Sequence, residues 1–375
     1  MLAGSNINYA FAVIAVFVAV LAVAASRGEP PPKPCKVDDF ELIKAIGGTK
    51  DKTMVYLVKH KTNKRPYAMK KYSKQKMSLR ARLERDALLD VVRDTPGVVE
   101  AYCAMHDDNY AYIVMEYVPG GDLFTITRGT KPTEEMLKFY VASIALILED
   151  IHRKGAIHCS VLPENVVLDE NGYVRLVDWA TSTTWQPGVN ARVFQGTTEF
   201  CAPEVIATHR DFPSLGLSAP RDGYTGAADW WSLGIFICDL FESGSPFRTD
   251  GRDYADANEW KMAVFRKILT TAEDEIQVPR SLPPGAYDLV RGLLRHNPEE
   301  RLSLNGIKSH EWFVTNHSTN FVGFNWEALS ACVMSAPYKP RLVDPFDTTN
   351  FSDDVLELPP ATSIDDQQWS GFDKD

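Results

Sequence analysis

The sequence predicts a two-lobed α+β chain, a small antiparallel-sheet lobe followed by a larger helical lobe, with a single transmembrane helix at its amino terminus. Three observations carry that reading. Residues 9–25 (YAFAVIAVFVAVLAVAA) are uninterruptedly apolar, short alternating segments follow from residue 40, and long apolar-rich helical patterns dominate beyond a Pro-Gly-Gly at 119–121. The apolar run is preceded by no Lys or Arg and followed by Arg27, Lys33 and Lys36, so the positive-inside bias predicts an uncleaved single-pass anchor with the rest of the chain in the cytosol. The alternative is a signal cut near Ala24 after the small residues Ala22-Val23-Ala24. That would place the chain in the secretory lumen, with sequons at Asn316 and Asn350. Residues 26–39, rich in proline, read as a stiff extended spacer.

Strands are expected over 40–46, 54–60 and 65–71, the last two joined by a turn at Asn63-Lys64, and a further strand over 111–117. Between them 78–92 has the period of an amphipathic helix. Past the glycines, 134–153 and 228–243 read as long helices, and 166–177 as a short hairpin turning at Asn171-Gly172. The 40 basic and 50 acidic residues leave a formal charge of −10, which argues against nucleic acid as the partner. The six cysteines show no paired spacing and read as buried or surface thiols.

Several motifs then occur in order: VYLVKHKTNKRPYAMKK (55–71), MEYVPGGDLF (115–124), HCSVLPEN (158–165), DWA (178–180), APE (202–204), DWWSLG (229–234) and Arg301. Together they resemble a eukaryotic protein kinase domain over 40–313. The segment 324–354 resembles the C-terminal tail of AGC-type kinases, closest to the myotonic-dystrophy-kinase, Rho-kinase and citron-kinase group. The resemblance implies a bilobal kinase fold. It divides the chain into an N-terminal segment (1–8), the anchor (9–25), the spacer (26–39), a kinase domain with small lobe 40–117 and large lobe 122–313, and an AGC tail (314–375). In such tails a phenylalanine like Phe351 reaches the adenine pocket. Trp369 to Asp373 weakly resembles the aromatic motif that docks on the small lobe, and a loose chain end is an equal alternative.

What the resemblance implies can be taken residue by residue. ATP with Mg²⁺ is the implied cofactor. Lys70 matches the lysine that holds the α- and β-phosphates, and Glu84 the helix glutamate that pairs with it, although a solvated helix charge is the bland alternative. Val55, Ala68 and Val167 match the adenine walls, and Glu116 and Val118 the hinge. Asn165 and Asp178 match the two metal positions. The phosphate loop keeps only Gly48 of three glycines, with Lys50 and Thr53 adding bulk, so nucleotide affinity is expected to be weakened. Charge offered to phosphate by Lys50 and Lys52 is the alternative, lysines in a hairpin being more often simply solvated.

The catalytic loop departs further. Ser160 stands where an aspartate would take the substrate proton, and a neutral hydroxyl has no basic lone pair usable near pH 7. Leu162 stands where a lysine would neutralise the transferring phosphoryl. Cys159 replaces the arginine that would read an activation-segment phosphate, and Val193, at the usual phosphorylatable position, has no hydroxyl. Glu204 with Arg301, and Asp229, match structural positions. Asp122, Glu164 and Asp239 match acidic positions that take basic substrate residues, with helix capping an equal role for Asp122. The expectation is a pseudokinase with residual nucleotide binding that acts on a protein client or partner kinase, as scaffold or allosteric regulator. An active serine/threonine kinase with an atypical loop is the alternative.

Overall fold

The computed structural model describes residues 29–49, 52–128, 131–217, 222–242, 244–314, 323–351, 369 and 371–375. Five strands form the small lobe: β1 (Phe40–Thr49), β2 (Thr53–His60), β3 (Pro66–Ser73), β4 (Ala101–His106) and β5 (Tyr110–Met115), in antiparallel order β1-β2-β3-β5-β4. Their alternation sorts side chains to two faces. Ala68 and Tyr72 face the large lobe, whereas Tyr67 and Met69 join Phe40, Tyr102 and Val114 in a separate cluster on the outer face. β4, which reads AYCAMH, is almost entirely buried, so its continuous apolar run carries no period-2 signal.

β3 passes directly into helix α1 (Lys74–Asp86), earlier than the expected start at residue 78. Ser73, extended at φ −68° and ψ 117°, occupies the N-cap position, and no Gly or Pro separates strand from helix. The helix kinks at Met77, buries Ala81, Glu84 and Arg85, and runs into a π-helical turn over Ala87–Val91.

The large lobe begins with α2 (Leu123–Arg128) and α3 (Glu134–Arg153). Thr133 caps α3 by accepting the Met136 N–H at 3.2 Å. Leu137, Tyr140, Ile144, Leu148 and Ile151 recur at helical spacing on its buried face. At 1.5–3 kcal/mol per large apolar side chain, that stripe contributes on the order of 10 kcal/mol of gross burial, far more than helix propensity alone. The strands β6 (Val166–Leu168) and β7 (Val174–Leu176) form the expected hairpin, and α4 (Ala227–Glu242) is buried nearly all round. Helices α5 (Ala257–Thr270) and α6 (Pro284–Leu293) complete the lobe.

Two expectations are corrected. Among the described residues no helix is long and apolar enough to cross a membrane. The most apolar long helix, α4, has only 16 residues, and the 20-residue α3 carries Glu134, Glu135, Lys138, Glu149, Asp150 and Arg153. The run 9–25 lies outside the described residues. The described fold therefore gives the transmembrane helix of the expected fold class, the single-pass location and the membrane link no support.

The second correction concerns the cysteines, two of which are not thiols, in and against a segment, residues 29–39, that packs on the small lobe. Pro31 is buried, the Tyr67 hydroxyl donates to the Glu29 carbonyl at 2.8 Å, and Arg65 pairs with Glu29 at 2.6 Å. Cys35 is joined to Cys103 on β4 by a disulfide across 68 positions of sequence. Spacing could not announce that bond, because it is set by the fold rather than by a local motif. Cys159, Cys201 and Cys238 are buried free thiols and Cys332 an exposed one.

Candidate functional site: the cleft between the lobes

A cavity of about 420 Å³ opens between the sheet and the large lobe. β1 and β2 form its roof through Gly48 and Val55, β3 contributes Ala68 and Lys70, and Val167 on β6 lies opposite. Glu116 and Val118 line the connection between the lobes, and Asn165 and Asp178 lie at the inner end. Gly48 has φ +136° and pairs with Met54, and a Cβ there would meet the Thr53 carbonyl at 2.4 Å, so the tight hairpin demands glycine at this point. Lys50 lies outside the described residues. Lys52 is exposed, and its carbonyl accepts the Ser73 N–H.

Lys70 bonds both Glu84, at 2.7 Å, and Asp178, at 2.6 Å. Burial works against its charge, but Asp178 and Glu84 outweigh burial and hold the ammonium above its usual value. Burial lifts the Glu84 carboxyl to about 6, with Lys70 limiting the rise. Burial also pushes Asp178 upward, and Lys70 more than cancels it, leaving that carboxyl below its ordinary value. Asp178 itself is held in the left-handed region at φ +61°. The following Trp179 is fully buried, donates its backbone N–H to Glu84 Oε1 at 3.2 Å, and packs edge-on against His158 with centroids 4.7 Å apart. The helix glutamate is thus fixed from two sides.

At the lobe connection the Glu116 N–H is taken by the Glu100 carbonyl at 2.8 Å. Its carboxylate turns away from the cavity, accepting the Glu100 N–H at 2.9 Å and facing Arg175 at 3.5 Å. Of the two expected hinge positions, the Glu116 carbonyl and the backbone of Val118 remain. Phe351 closes the cavity from the tail side, its ring 5.9 Å from Tyr117. Tyr72, Met77 and Arg80 also line the space, although no motif pointed to them. The available signal was the separation of Lys70 and Glu84, only 14 residues.

The catalytic-loop positions sit apart from this lining. Ser160 is buried, its hydroxyl 2.9 Å from Thr197 Oγ1 and accepting from Asn165 Nδ2 at 3.2 Å. Leu162 is 9% exposed and lines a second groove of about 530 Å³ with Phe124, Thr197, Phe200 and Trp260. Cys159, buried at φ +63°, gives its N–H to Asp229, as does His158, at 2.8 and 2.9 Å. The Asp229 brace therefore keeps the loop's shape without any cation at 159. Val193 is exposed. Arg301 holds Glu204 through two bonds, at 2.7 and 2.9 Å, beneath the activation segment.

Glu164, Glu199 and Asp239 line the second groove. Burial raises all three carboxyls, that of Asp239 to about 6 with Glu199 adding to the rise. Asp122 accepts the Thr125 N–H at 2.8 Å and its hydroxyl at 2.9 Å, so it caps α2 while also lining the nucleotide-sized cavity.

Residues 40–313 match the protein kinase domain. The chain belongs to the protein kinase family. Within it the resemblance is to the myotonic-dystrophy and Rho-kinase group of AGC kinases. The chain is 34% identical to myotonin-protein kinase of Mus musculus over 332 residues, 85% of this chain and 48% of that protein. It is 33% identical to serine/threonine-protein kinase MRCK beta of Rattus norvegicus over 344 residues, 87% of this chain and 18% of the relative. With Rho-associated protein kinase 1 of Oryctolagus cuniculus it shares 33% identity over 332 residues, 85% of this chain and 22% of the relative. This kinase-family chain thus spans about half the length of the first relative and about a fifth of the others.

Proposed function

We propose that this AGC-type kinase homologue binds a nucleotide with Mg²⁺ but has lost efficient phosphoryl transfer, and acts as a scaffold or allosteric regulator of a protein client or partner kinase. The observation that carries the proposal is the state of the Ser160 hydroxyl: tied to Thr197 and Asn165, it stands where a base must be. Losing a general base typically costs about 10²–10⁴-fold in rate. Leu162 offers an isobutyl group where charge is needed, and losing such an electrostatic contact typically costs about 10²–10³-fold. The two losses need not multiply, because groups acting as a unit are non-additive. Even one reduces a turnover of about 1–100 per second to a trace.

The donor set still suits ATP. Val55, Ala68 and Val167 offer apolar walls, the Glu116 carbonyl and Val118 backbone offer hinge groups, and Lys70 offers the phosphate cation. Asn165 and Asp178 supply hard oxygen ligands for Mg²⁺. Bound there, the metal would neutralise phosphate charge. Glu164, Glu199 and Asp239 suit a basic peptide in the neighbouring groove.

A second reading, an active kinase with an atypical loop, draws support from the intact Lys70–Glu84 pair. One experiment separates the two. The purified chain is incubated with labelled ATP, Mg²⁺ and a basic peptide beside a Lys70→Met control, while ATP binding is followed by thermal shift. The expected result is a Lys70-dependent shift without Lys70-dependent transfer. Transfer near 1 per second, typical of active kinases, would reverse the conclusion.

A further inference from the structure

One corner of the cavity is not explained by the matched positions. β3 enters α1 without a linker, and Met77 and Arg80 in the first two turns of the helix line the cavity. Arg80 lies one turn before Glu84, so the two share a helix face, and Arg80 reaches the cavity lining. It is exposed, and among the described residues it forms no hydrogen bond or ion pair. Its positive charge is the smallest of those that hold the Asp178 carboxyl down, after Lys70 and His158.

Tyr72 points the same way independently. Two residues after Lys70 on the same face of β3, it lines the same cavity, with the Lys70 ammonium 5.3 Å from its ring centre. It is wholly buried, and its hydroxyl has no hydrogen-bond partner. A buried donor left without an acceptor is costly, and an anion admitted as far as the Tyr72 ring would remove that cost. An arginine at a helix surface is ordinarily just solvated. Here it shares its cavity with an orphaned phenol, Lys70 and a metal-type carboxylate, a set that fits phosphate chemistry.

We propose that Arg80 and Tyr72 form a subsite for the terminal phosphate of a nucleoside triphosphate, supplying from α1 the positive charge that Leu162 does not. This rests on the nucleotide-binding reading above and adds a specificity to it, a preference for triphosphate over diphosphate. The subsite serves binding, because it provides no base.

The test is isothermal titration of the full chain with Mg-ATP, Mg-ADP and adenosine. The wild-type chain is expected to prefer ATP to ADP. Arg80→Ala should weaken ATP about tenfold, the scale of one charge-assisted contact, with ADP and adenosine within about twofold. Tyr72→Phe keeps the ring and should cost ATP about threefold. Lys70→Met should weaken ATP and ADP alike, and adenosine checks that each variant is folded. An Arg80→Ala protein that keeps the wild-type ATP-to-ADP ratio, while Lys70→Met loses affinity, overturns the subsite and leaves the nucleotide site standing. A wild-type chain that binds none of the three ligands overturns both.

Discussion

Removing the Cys35–Cys103 crosslink by Cys35→Ser perturbs one covalent bond whose worth can be worked out. The bond closes a loop of 68 positions. Constraining a loop of that length in the unfolded chain is worth about 4 kcal/mol in the loop-entropy account. Little else compensates locally. Residues 29–35 are otherwise held by the Tyr67–Glu29 hydrogen bond, the exposed Arg65–Glu29 pair, the Cys35 N–H on Asp375, and the burial of Pro31. Such contacts are worth about 1 kcal/mol each or less, against a backbone ordering cost of about 1–2 kcal/mol per residue. The strap should therefore detach as well. At about 2–4 °C per kcal/mol, the thermal midpoint of Cys35→Ser is expected to fall by roughly 10 °C relative to the oxidised parent. Reductant should lower the parent to the same midpoint and leave the variant unmoved. A thiol titration of the denatured, unreduced parent should find the four free cysteines. Equal midpoints with and without reductant, or six titrating thiols, would refute the crosslink and the strap together.

Because Glu84 titrates near 6 and its ionised form anchors Lys70, Mg-ATP affinity should fall as pH drops from 7 to 5.5, and Glu84→Gln should flatten that profile in a calorimetric titration. Asp239 is raised to about 6 from an ordinary value of 3.8, so its charge opposes folding above that window and costs nothing below it. Asp239→Asn should therefore gain about 1 kcal/mol in urea unfolding at pH 7, after discounting for its part-exposure, gain nothing at pH 4, and bind a basic peptide more weakly at pH 7. Glu204→Gln leaves the wholly buried Arg301 head without its anion and should cost about 3–5 kcal/mol in the same unfolding assay, so a loss below 1 would contradict the assigned pair.

Much of the fold is legible in the chain because its signals are local. Thr133 before a run of apolar residues at helical spacing announces α3, and Asn171-Gly172 between two valine-rich segments announces the β6–β7 hairpin. Less legible is whatever depends on distance. The Cys35–Cys103 bond, the pairing of β4 with the chain end and the cavity role of Arg80 arise only when segments far apart in sequence meet. The start of α1 is obscured differently: Ser73 is strand end and N-cap position at once, so no break residue marks the boundary. At the cleft, the motifs identify residue types and their order. They do not show that the Ser160 hydroxyl is engaged by neighbours, nor that the Glu116 N–H is already taken.

The absence of a phosphate reader at Cys159 raises the question of what keeps α1, and with it Glu84, against Lys70. The two ends of the chain give a physical answer. Lys374 exchanges both backbone hydrogen bonds with Ala104 on the β4 edge, at 2.7 and 2.9 Å, covering a strand edge that would otherwise be open. Asp373 faces His106 at 2.6 Å, and the Cys35 N–H bonds Asp375 from the opposite end of the chain. This anchoring seats Trp369 and Phe372, both fully buried, against α1, where Lys74 and Arg82 lie over the indole and Arg85 over the phenyl ring. Arg85 also donates to the Gly371 carbonyl at 2.8 Å, and it directly follows Glu84 in the helix. The helix is thus braced by burial, cation–π contact and main-chain pairing, none of which requires a phosphate. The Asp373 carboxylate facing His106 carries its negative charge without any modification. A small lobe braced this way suits the proposed role, in which the output is a shape presented to a partner rather than a turnover to be switched on.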